Sequence, residues 1–281
     1  MDSISLTFIF ILGTLVGSFI NVISLRYNTG FPIAVGRSTC LHCNTTLAWY
    51  DLVPIFSFLF LLGRCRHCKS RLSFQYPIIE IVTGFLFVAL AVRQFYYWPL
   101  YSAFTHGILY SILFFVYYAF VWSLLLIIIL YDIRHKIIPD GLVFTFITLS
   151  VLKLLLFLYY KGFTLDRIDL LHLLSPLMLS LPFVLLWYFS EGKWMGLGDG
   201  KLMFGIGAFL GFTLGVSAIT IAFWIGALWG IVFILKSKFF PESGGMTLKS
   251  EIPFAPFLVA ATLFVFLSHI DVFGISQMLS V

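Results

Sequence analysis

The chain has 281 residues and a formal net charge of +5, and 61% of its residues are hydrophobic while only 10% are charged. A soluble domain could not expose so much apolar surface and stay dispersed, so this composition excludes an ordinary soluble protein and predicts an all-α polytopic membrane protein. In a membrane protein a positive net charge mainly indicates which loops lie on the cytosolic side. We therefore expect no nucleic-acid partner.

The N-terminal segment predicts a membrane-spanning helix rather than a removable signal peptide. No Lys or Arg precedes its apolar run, which ends at Arg26 and is longer than the hydrophobic part of a signal peptide. A basic residue after the run and none before it places the N-terminus outside. We therefore expect residues 1–25 to form the first transmembrane helix.

About eight stretches are apolar enough for transmembrane helices, which need about 20 residues. The predicted spans are 4–25, 76–92, 103–131, 141–160, 170–190, 201–216, 217–236 and 253–271. With the N-terminus outside, thirteen of the seventeen Lys and Arg residues fall in segments on the inner side of the membrane. This excess is the one expected of cytosolic loops, so it supports the predicted topology.

Two pairs of cysteines lie between the first and second spans, on the inner side. Cys40 and Cys43 form one Cys-x-x-Cys motif and Cys65 and Cys68 form another, with 21 residues between the motifs. Four thiolates at such spacing close a tetrahedral zinc site with no open position, which would be structural rather than catalytic. Disulfides do not persist in a reducing cytosol, and the alternative is two redox pairs or free thiols. The pattern predicts a small cytosolic zinc module over residues 26–75, followed by a seven-helix membrane domain over 76–281.

An apolar stretch at residues 52–62 separates the two cysteine motifs. It is too short to cross a bilayer and contains Pro54. We interpret it as a surface that holds the module on the membrane or on neighbouring helices.

Charged side chains inside apolar spans are costly and usually functional, and two aspartates stand at the ends of such spans. Asp132 closes the third predicted span and Asp199 opens the sixth, so both are expected at the inner membrane boundary. Two neighbouring carboxylates cannot both ionise easily. One then keeps a proton while the other activates a water for attack on a peptide carbonyl, as in aspartic proteases. The structural alternative is that each aspartate caps or bounds a helix.

The residues around Asp199 are mostly small. The segment 196–201 reads Gly-Leu-Gly-Asp-Gly-Lys. Without side chains at Gly196 and Gly198, the backbone can approach a bound substrate chain and adopt unusual dihedral angles. We expect Lys201 to act as an anchor that reaches the inner boundary of the membrane and, with Gly196 and Gly198, to support the substrate loop.

In this order, the motifs resemble those of the type IV prepilin peptidases, which are bacterial membrane aspartic proteases of the GxGD class. The similar segments are 17–26 (GSFINVISLR), 37–84 with the four cysteines, 131–140 (YDIRHKIIPD) and 196–203 (GLGDGKLM). The resemblance implies an inner-membrane enzyme that removes the leader of prepilins or pseudopilins on the cytosolic side. It implies that Asp132 and Asp199 are catalytic and that the four cysteines bind zinc. Residues 237–281 offer no matching motif.

The resemblance also implies that the new N-terminus is methylated with S-adenosylmethionine. The candidate residues for methyl transfer are Glu80, Asn21 and Arg26. Taken alone, Glu80 is interpreted as a buried carboxylate paired with Arg26 or Arg71. Asp140 ends the second motif, and it is expected to cap the next helix or to support the active-site loop.

Two other classes of function stay open at this point. A proton-coupled transporter would use Asp132 and Asp199 as a relay, with the zinc module as a regulatory domain, but its acids should lie deeper in the spans. A zinc-bearing membrane scaffold of a secretion system would tolerate Asp to Asn at both positions.

Overall fold

A computed structural model describes residues 3–30, 32, 36–40, 42–97, 107–162, 166–239 and 253–279. Within these ranges the chain is helical, and strand-like pairing is confined to two isolated bridges, Thr39 with Thr46 and Arg64 with Arg71. The all-α class predicted from composition is therefore confirmed.

Ten α-helices are described. They are α1 (Ser3–Arg26), α2 (Phe56–Phe60), α3 (Gln75–Val92), α4 (Gly107–His135), α5 (Asp140–Tyr160), α6 (Arg167–Phe189), α7 (Leu197–Leu210), α8 (Phe212–Phe239), α9 (Ala255–Ser268) and α10 (Ile275–Leu279). A 3₁₀ turn covers Trp49–Leu52, and a π-helical turn extends α3 over Arg93–Tyr97.

Six of these helices, α1, α3, α4, α5, α6 and α8, are long and apolar enough to cross a membrane. The helices α7 and α9 have 14 residues each, and at 1.5 Å per residue each extends about 21 Å, less than the roughly 30 Å of a hydrocarbon core. The count of about eight transmembrane helices therefore stays a prediction. Residues 103–106 of the third predicted span lie outside the described residues.

The chain divides into two compact units, residues 1–127 and 128–281. In the first unit α1 packs closely on α3. A Cβ atom added to Gly13 would lie 2.7 Å from the Thr83 carbonyl oxygen, and one added to Gly17 would lie 2.9 Å from the Cα of Glu80. Such small residues let membrane helices approach each other closely.

In the second unit α7 is enclosed by α5, α6 and α9. Most of its residues are buried, among them Leu202, Met203 and Ile206. Gly207 lies against α6, because a Cβ there would come within 2.8 Å of the Ser175 carbonyl oxygen. The helix that carries Asp199 is thus held firmly on several sides.

The predicted boundary between the sixth and seventh spans, at Gly215–Ser217, is wrong. The chain breaks at Gly211 instead, where φ is 81° and ψ is −176°. A side chain is disfavoured at this φ, and a Cβ would also overlap the His172 imidazole. Helix α8 starts directly at Phe212, so the apolar run continues through the break and hydropathy does not reveal it.

Candidate active site and cysteine cluster

Asp132 lies in the last turn of α4 and is only 4% exposed. The backbone N–H of Ala255, the first residue of α9, donates a hydrogen bond to its carboxylate. Its Oδ2 atom is buried and has no hydrogen-bond partner among the described residues. Buried polar atoms are nearly always paired, so an unpaired carboxylate oxygen marks this position as a candidate functional group.

Asp199 lies in the first turn of α7 and is also buried. The backbone N–H of Gly196, the residue before the helix, donates to its carboxylate. Its charge also interacts with that of Asp132, so the second unit brings the two carboxylates close together although 67 positions separate them in the sequence. The predicted pair of aspartates stays a prediction, and this electrostatic interaction favours it.

The structure gives Gly198 a packing role. A Cβ atom at this position would lie 2.8 Å from the Cβ of Ile138, in the segment that joins α4 to α5. At Gly196 the nearest atom to an added Cβ is the Asp199 Oδ2, at 3.7 Å, which is ordinary contact. The two segments that carry the aspartates thus meet at Gly198, where only a glycine leaves room for Ile138.

Gly198→Ala is expected to destabilise the second unit by about 1–3 kcal/mol, because the added methyl group must displace Ile138 or the start of α7. Gly196→Ala is the matched control, since its Cβ has room. Thermal unfolding of both variants in detergent measures the difference. Equal stabilities of the two glycine variants would show that the contact at Ile138 does not matter.

Lys201 and Asp140 form an ion pair between the two motifs. The Nζ atom of Lys201 lies 2.6 Å from Oδ1 of Asp140 and 5.4 Å from the centre of the Phe144 ring. Two residues along a helix correspond to a rotation of about 200°, so Lys201 points away from the face that presents Asp199. This contact joins the first residue of α5 to the fifth residue of α7.

Two expectations for these residues change accordingly. Asp140 is the first residue of α5, and Pro139 occupies the cap position, so the prediction of Asp140 as the N-cap is wrong. Its carboxylate accepts a hydrogen bond from Lys201, which therefore pairs with an acid instead of only reaching the boundary of the membrane. A support role for both residues remains a prediction that this pairing favours.

The two cysteine motifs fold into matching turns. In the first, Cys40 N–H donates to the Thr45 carbonyl; in the second, Cys65 N–H donates to the Ser70 carbonyl, at 3.0 and 2.9 Å. In each turn the residue after the second cysteine has a positive φ, 54° at Asn44 and 59° at Lys69. Each turn therefore presents its two thiols on one side, as spacing alone predicted.

The four sulfur atoms of Cys40, Cys43, Cys65 and Cys68 all lie within 4.8 Å of one another, and none is in a disulfide. Four thiolates around zinc at 2.3 Å would be roughly 3.8 Å apart, and the Sγ atoms of Cys40 and Cys68 are separated by 3.9 Å. Backbone N–H groups of Cys43 and His42 lower the pKa of Cys40 to about 6, which favours the thiolate that binds metals. The cluster fits a tetrahedral metal ion.

Comparison with known proteins agrees with this arrangement. Residues 11–94 match the family described as the bacterial peptidase A24 N-terminal domain, and residues 118–231 match the type IV leader peptidase family. A relative in Bacillus subtilis (strain 168), named prepilin leader peptidase/N-methyltransferase, is 32% identical over 269 residues, which cover 93% of this chain and 94% of the relative. The chain belongs to the type IV leader peptidase family.

Other leader peptidase relatives carry the same name. The one in Burkholderia pseudomallei (strain K96243) is 31% identical over 92% of this chain and 85% of its own length. The one in Myxococcus xanthus (strain DK1622) is 44% identical over 88 residues, 31% of this chain and 26% of that protein. No solved structure matches significantly. The resemblance predicted from the motifs is confirmed.

Glu80 of this leader peptidase is buried in the first unit, and its partners differ from those expected. Its Oε2 atom accepts a hydrogen bond from the Ile55 backbone N–H at 2.7 Å, and the Ser18 hydroxyl donates a second one. Among the described residues no ion pair joins Glu80 to Arg26 or Arg71, so the predicted pairing is wrong. The carboxylate holds the loop before α2 against α1 and α3.

The other two candidates for methyl transfer lie nearby in the same unit. Asn21 is buried, and its amide donates to the Tyr76 carbonyl at 3.3 Å. The guanidinium of Arg26 donates to the carbonyls of Pro32 and Arg37, at 3.0 and 3.3 Å. Both side chains therefore position the backbone that leads into and out of the cysteine module, and their part in methyl transfer stays a prediction.

No sequence motif points to Ala255, which reaches Asp132 through its backbone N–H. Its segment lies beyond the second matched region and within the tail for which no motif was recognised. The local signal is Pro256, because proline favours the first turn of a helix. That signal predicts where α9 begins but not that its first N–H points at Asp132.

Proposed function

We propose that this protein is a membrane aspartic endopeptidase that removes the leader of type IV prepilins or pseudopilins and then N-methylates the new N-terminus. The observation that carries the peptidase is the meeting of Asp132 and Asp199, two buried carboxylates, at helix ends within one unit of a type IV leader peptidase. The names of the relatives, which join both activities, support the second function.

The proposed reaction needs one ionised and one protonated aspartate. The unpaired Oδ2 suits Asp132 to take a proton from a water, whose oxygen then attacks the scissile carbonyl carbon. Asp199 donates its proton to the carbonyl oxygen, which gives a gem-diol. When the diol collapses, the C–N bond breaks, the amine leaves with the proton held by Asp132, and a diol proton returns to Asp199.

The proposed topology places the cut at the cytosolic boundary of the inner membrane. Both aspartates lie at the inner ends of their helices if the N-terminus is outside, and the excess of Lys and Arg on the same side supports that orientation. In this arrangement residues 1–25 form the first transmembrane helix, 26–75 the cytosolic module and 76–281 the membrane domain. A leader in the cytosol and an apolar pilin helix in the membrane would then meet at the aspartates.

We infer that the metal held by the four cysteines is zinc and that its role is structural. Zinc prefers four thiolates in a tetrahedron, and a site filled by four protein ligands leaves no position for substrate. S-adenosylmethionine would supply the methyl group. Glu80, Asn21 and Arg26 then serve methylation by positioning the module, since each is engaged with nearby backbone or side-chain groups.

Intact-mass spectrometry of a model prepilin with a glycine–phenylalanine junction tests both activities. The purified protein in detergent is expected to remove the leader with or without S-adenosylmethionine, and to add the mass of one methyl group only when the donor is present. Cleavage without methylation would leave a peptidase alone. Absence of both reactions with well-folded protein would contradict the proposal and favour a relay or scaffold.

A further inference from the structure

The apolar stretch between the cysteine motifs is exposed. We call residues 49–62, which contain the 3₁₀ turn and α2, the interfacial segment. Its most exposed side chains are Trp49 at 79%, Phe60 at 84% and Leu62 at 85%, and Phe56 and Leu59 are also exposed. A contiguous exposed apolar surface of this kind marks a site of interaction with a membrane or with another protein.

The contact with Glu80 determines where along α3 the interfacial segment lies. It is the sixth residue of this helix and therefore lies about 8 Å from its start. Because its carboxylate binds the Ile55 N–H at 2.7 Å, α2 begins beside the first turns of a membrane-spanning helix and not beyond its end. Ile55 has φ 63°, which is unfavourable for a β-branched residue and requires such a contact to hold it.

The apolar surface of α2 is continuous with the exposed face of α3. The rings of Phe58 and Phe74 are in contact, with centres 5.4 Å apart. Phe74 is exposed and directly precedes α3, where Ile78 and Phe85 continue the exposed stripe. The surface that α3 shows to lipid thus extends through Phe74 to the interfacial segment.

The exposed charges beside this surface are positive. The exposed residues that follow it are basic: Arg64, Arg66, Lys69 and Arg71. Asp51 is the sole acid between residues 27 and 79, and its side chain is 3% exposed because Arg66 binds it at 2.8 Å. The neighbourhood therefore complements an anionic surface.

We propose that the interfacial segment lies in the headgroup and upper acyl region of the bilayer, and that Arg64, Lys69 and Arg71 bind the phosphates of anionic lipids, while Arg66 is held by Asp51. Aromatic side chains favour this region, and basic residues near it are attracted to anionic lipids. The cysteine cluster flanks the segment at both ends, so a bound metal holds it as a closed loop against the membrane.

Photocrosslinking from a benzoylphenylalanine placed at Phe60 tests this docking. The full chain is reconstituted in vesicles of phosphatidylcholine with phosphatidylglycerol, and in vesicles of phosphatidylcholine alone. We expect a lipid adduct at position 60, with a yield that is about two-fold or more higher in the anionic vesicles. The same probe at Thr46, which is exposed but outside the segment, should give no lipid adduct.

In the double variant Arg64→Gln with Arg71→Gln, the yield of lipid adduct at position 60 should no longer be higher in the anionic vesicles. Equal lipid yields at 60 and 46, no lipid adduct at 60, or a crosslink from 60 to an added prepilin in place of lipid would each overturn the proposal. The assay requires neither cleavage nor methylation, so its result is independent of the proposed function.

Discussion

Asp132→Asn and Asp199→Asn are each expected to lower the rate of leader cleavage by roughly 10³-fold, because an amide can neither take a proton from water nor donate one to the carbonyl as a carboxyl group does. The measurement is the initial rate of leader loss by mass spectrometry with the same model prepilin. Methylation of a substrate that has already been cut should persist in both variants, since the residues proposed to serve methylation lie in the other unit.

The matched control is Glu191→Gln, which removes a carboxylate near the start of the same motif. Its side chain is 80% exposed and pairs with Lys193 on the surface, so cleavage should remain at the level of the unaltered protein. Circular dichroism and gel filtration show whether the aspartate variants are folded. Full cleavage by either folded variant would refute the pair of aspartates and leave the two acids as helix-end residues.

Changing Cys40 and Cys65 together to serine is expected to remove one metal ion per chain and to unfold the module. These two are buried while Cys68 is exposed, and structural zinc in such sites contributes on the order of 10 kcal/mol of apparent binding free energy. Elemental analysis measures the metal, and limited proteolysis between residues 26 and 75 reports the unfolding.

Ser38→Ala is the control for the cysteine variant, because it changes a residue just before the first cysteine turn and keeps all four thiols. Retention of one zinc per chain by the double serine variant would show that the metal ligands lie elsewhere. Loss of zinc without new proteolytic sites would show that the matching turns are stable by themselves.

Properties that depend on neighbouring residues in the chain were predictable. Apolar runs predicted the helices, because each span must supply its own backbone hydrogen bonds in lipid. The two Cys-x-x-Cys turns predicted the cluster, since each turn by itself aligns two thiols. The ends of two apolar runs also predict that Asp132 and Asp199 share a depth in the membrane, which stays a prediction.

Contacts between distant segments were decided only by the tertiary structure. Lys201 meets Asp140 across 61 positions, Glu80 meets Ile55 across 25, and Ala255 reaches Asp132 from a tail without a recognisable motif. The break at Gly211 depends on His172 of another helix, and the need for Gly198 depends on Ile138. In a chain this apolar, many pairings of helix faces satisfy the same hydrophobic pattern. Close packing and a few buried polar contacts select one of these pairings. Such contacts join residues that are far apart in the chain, so local sequence does not predict them.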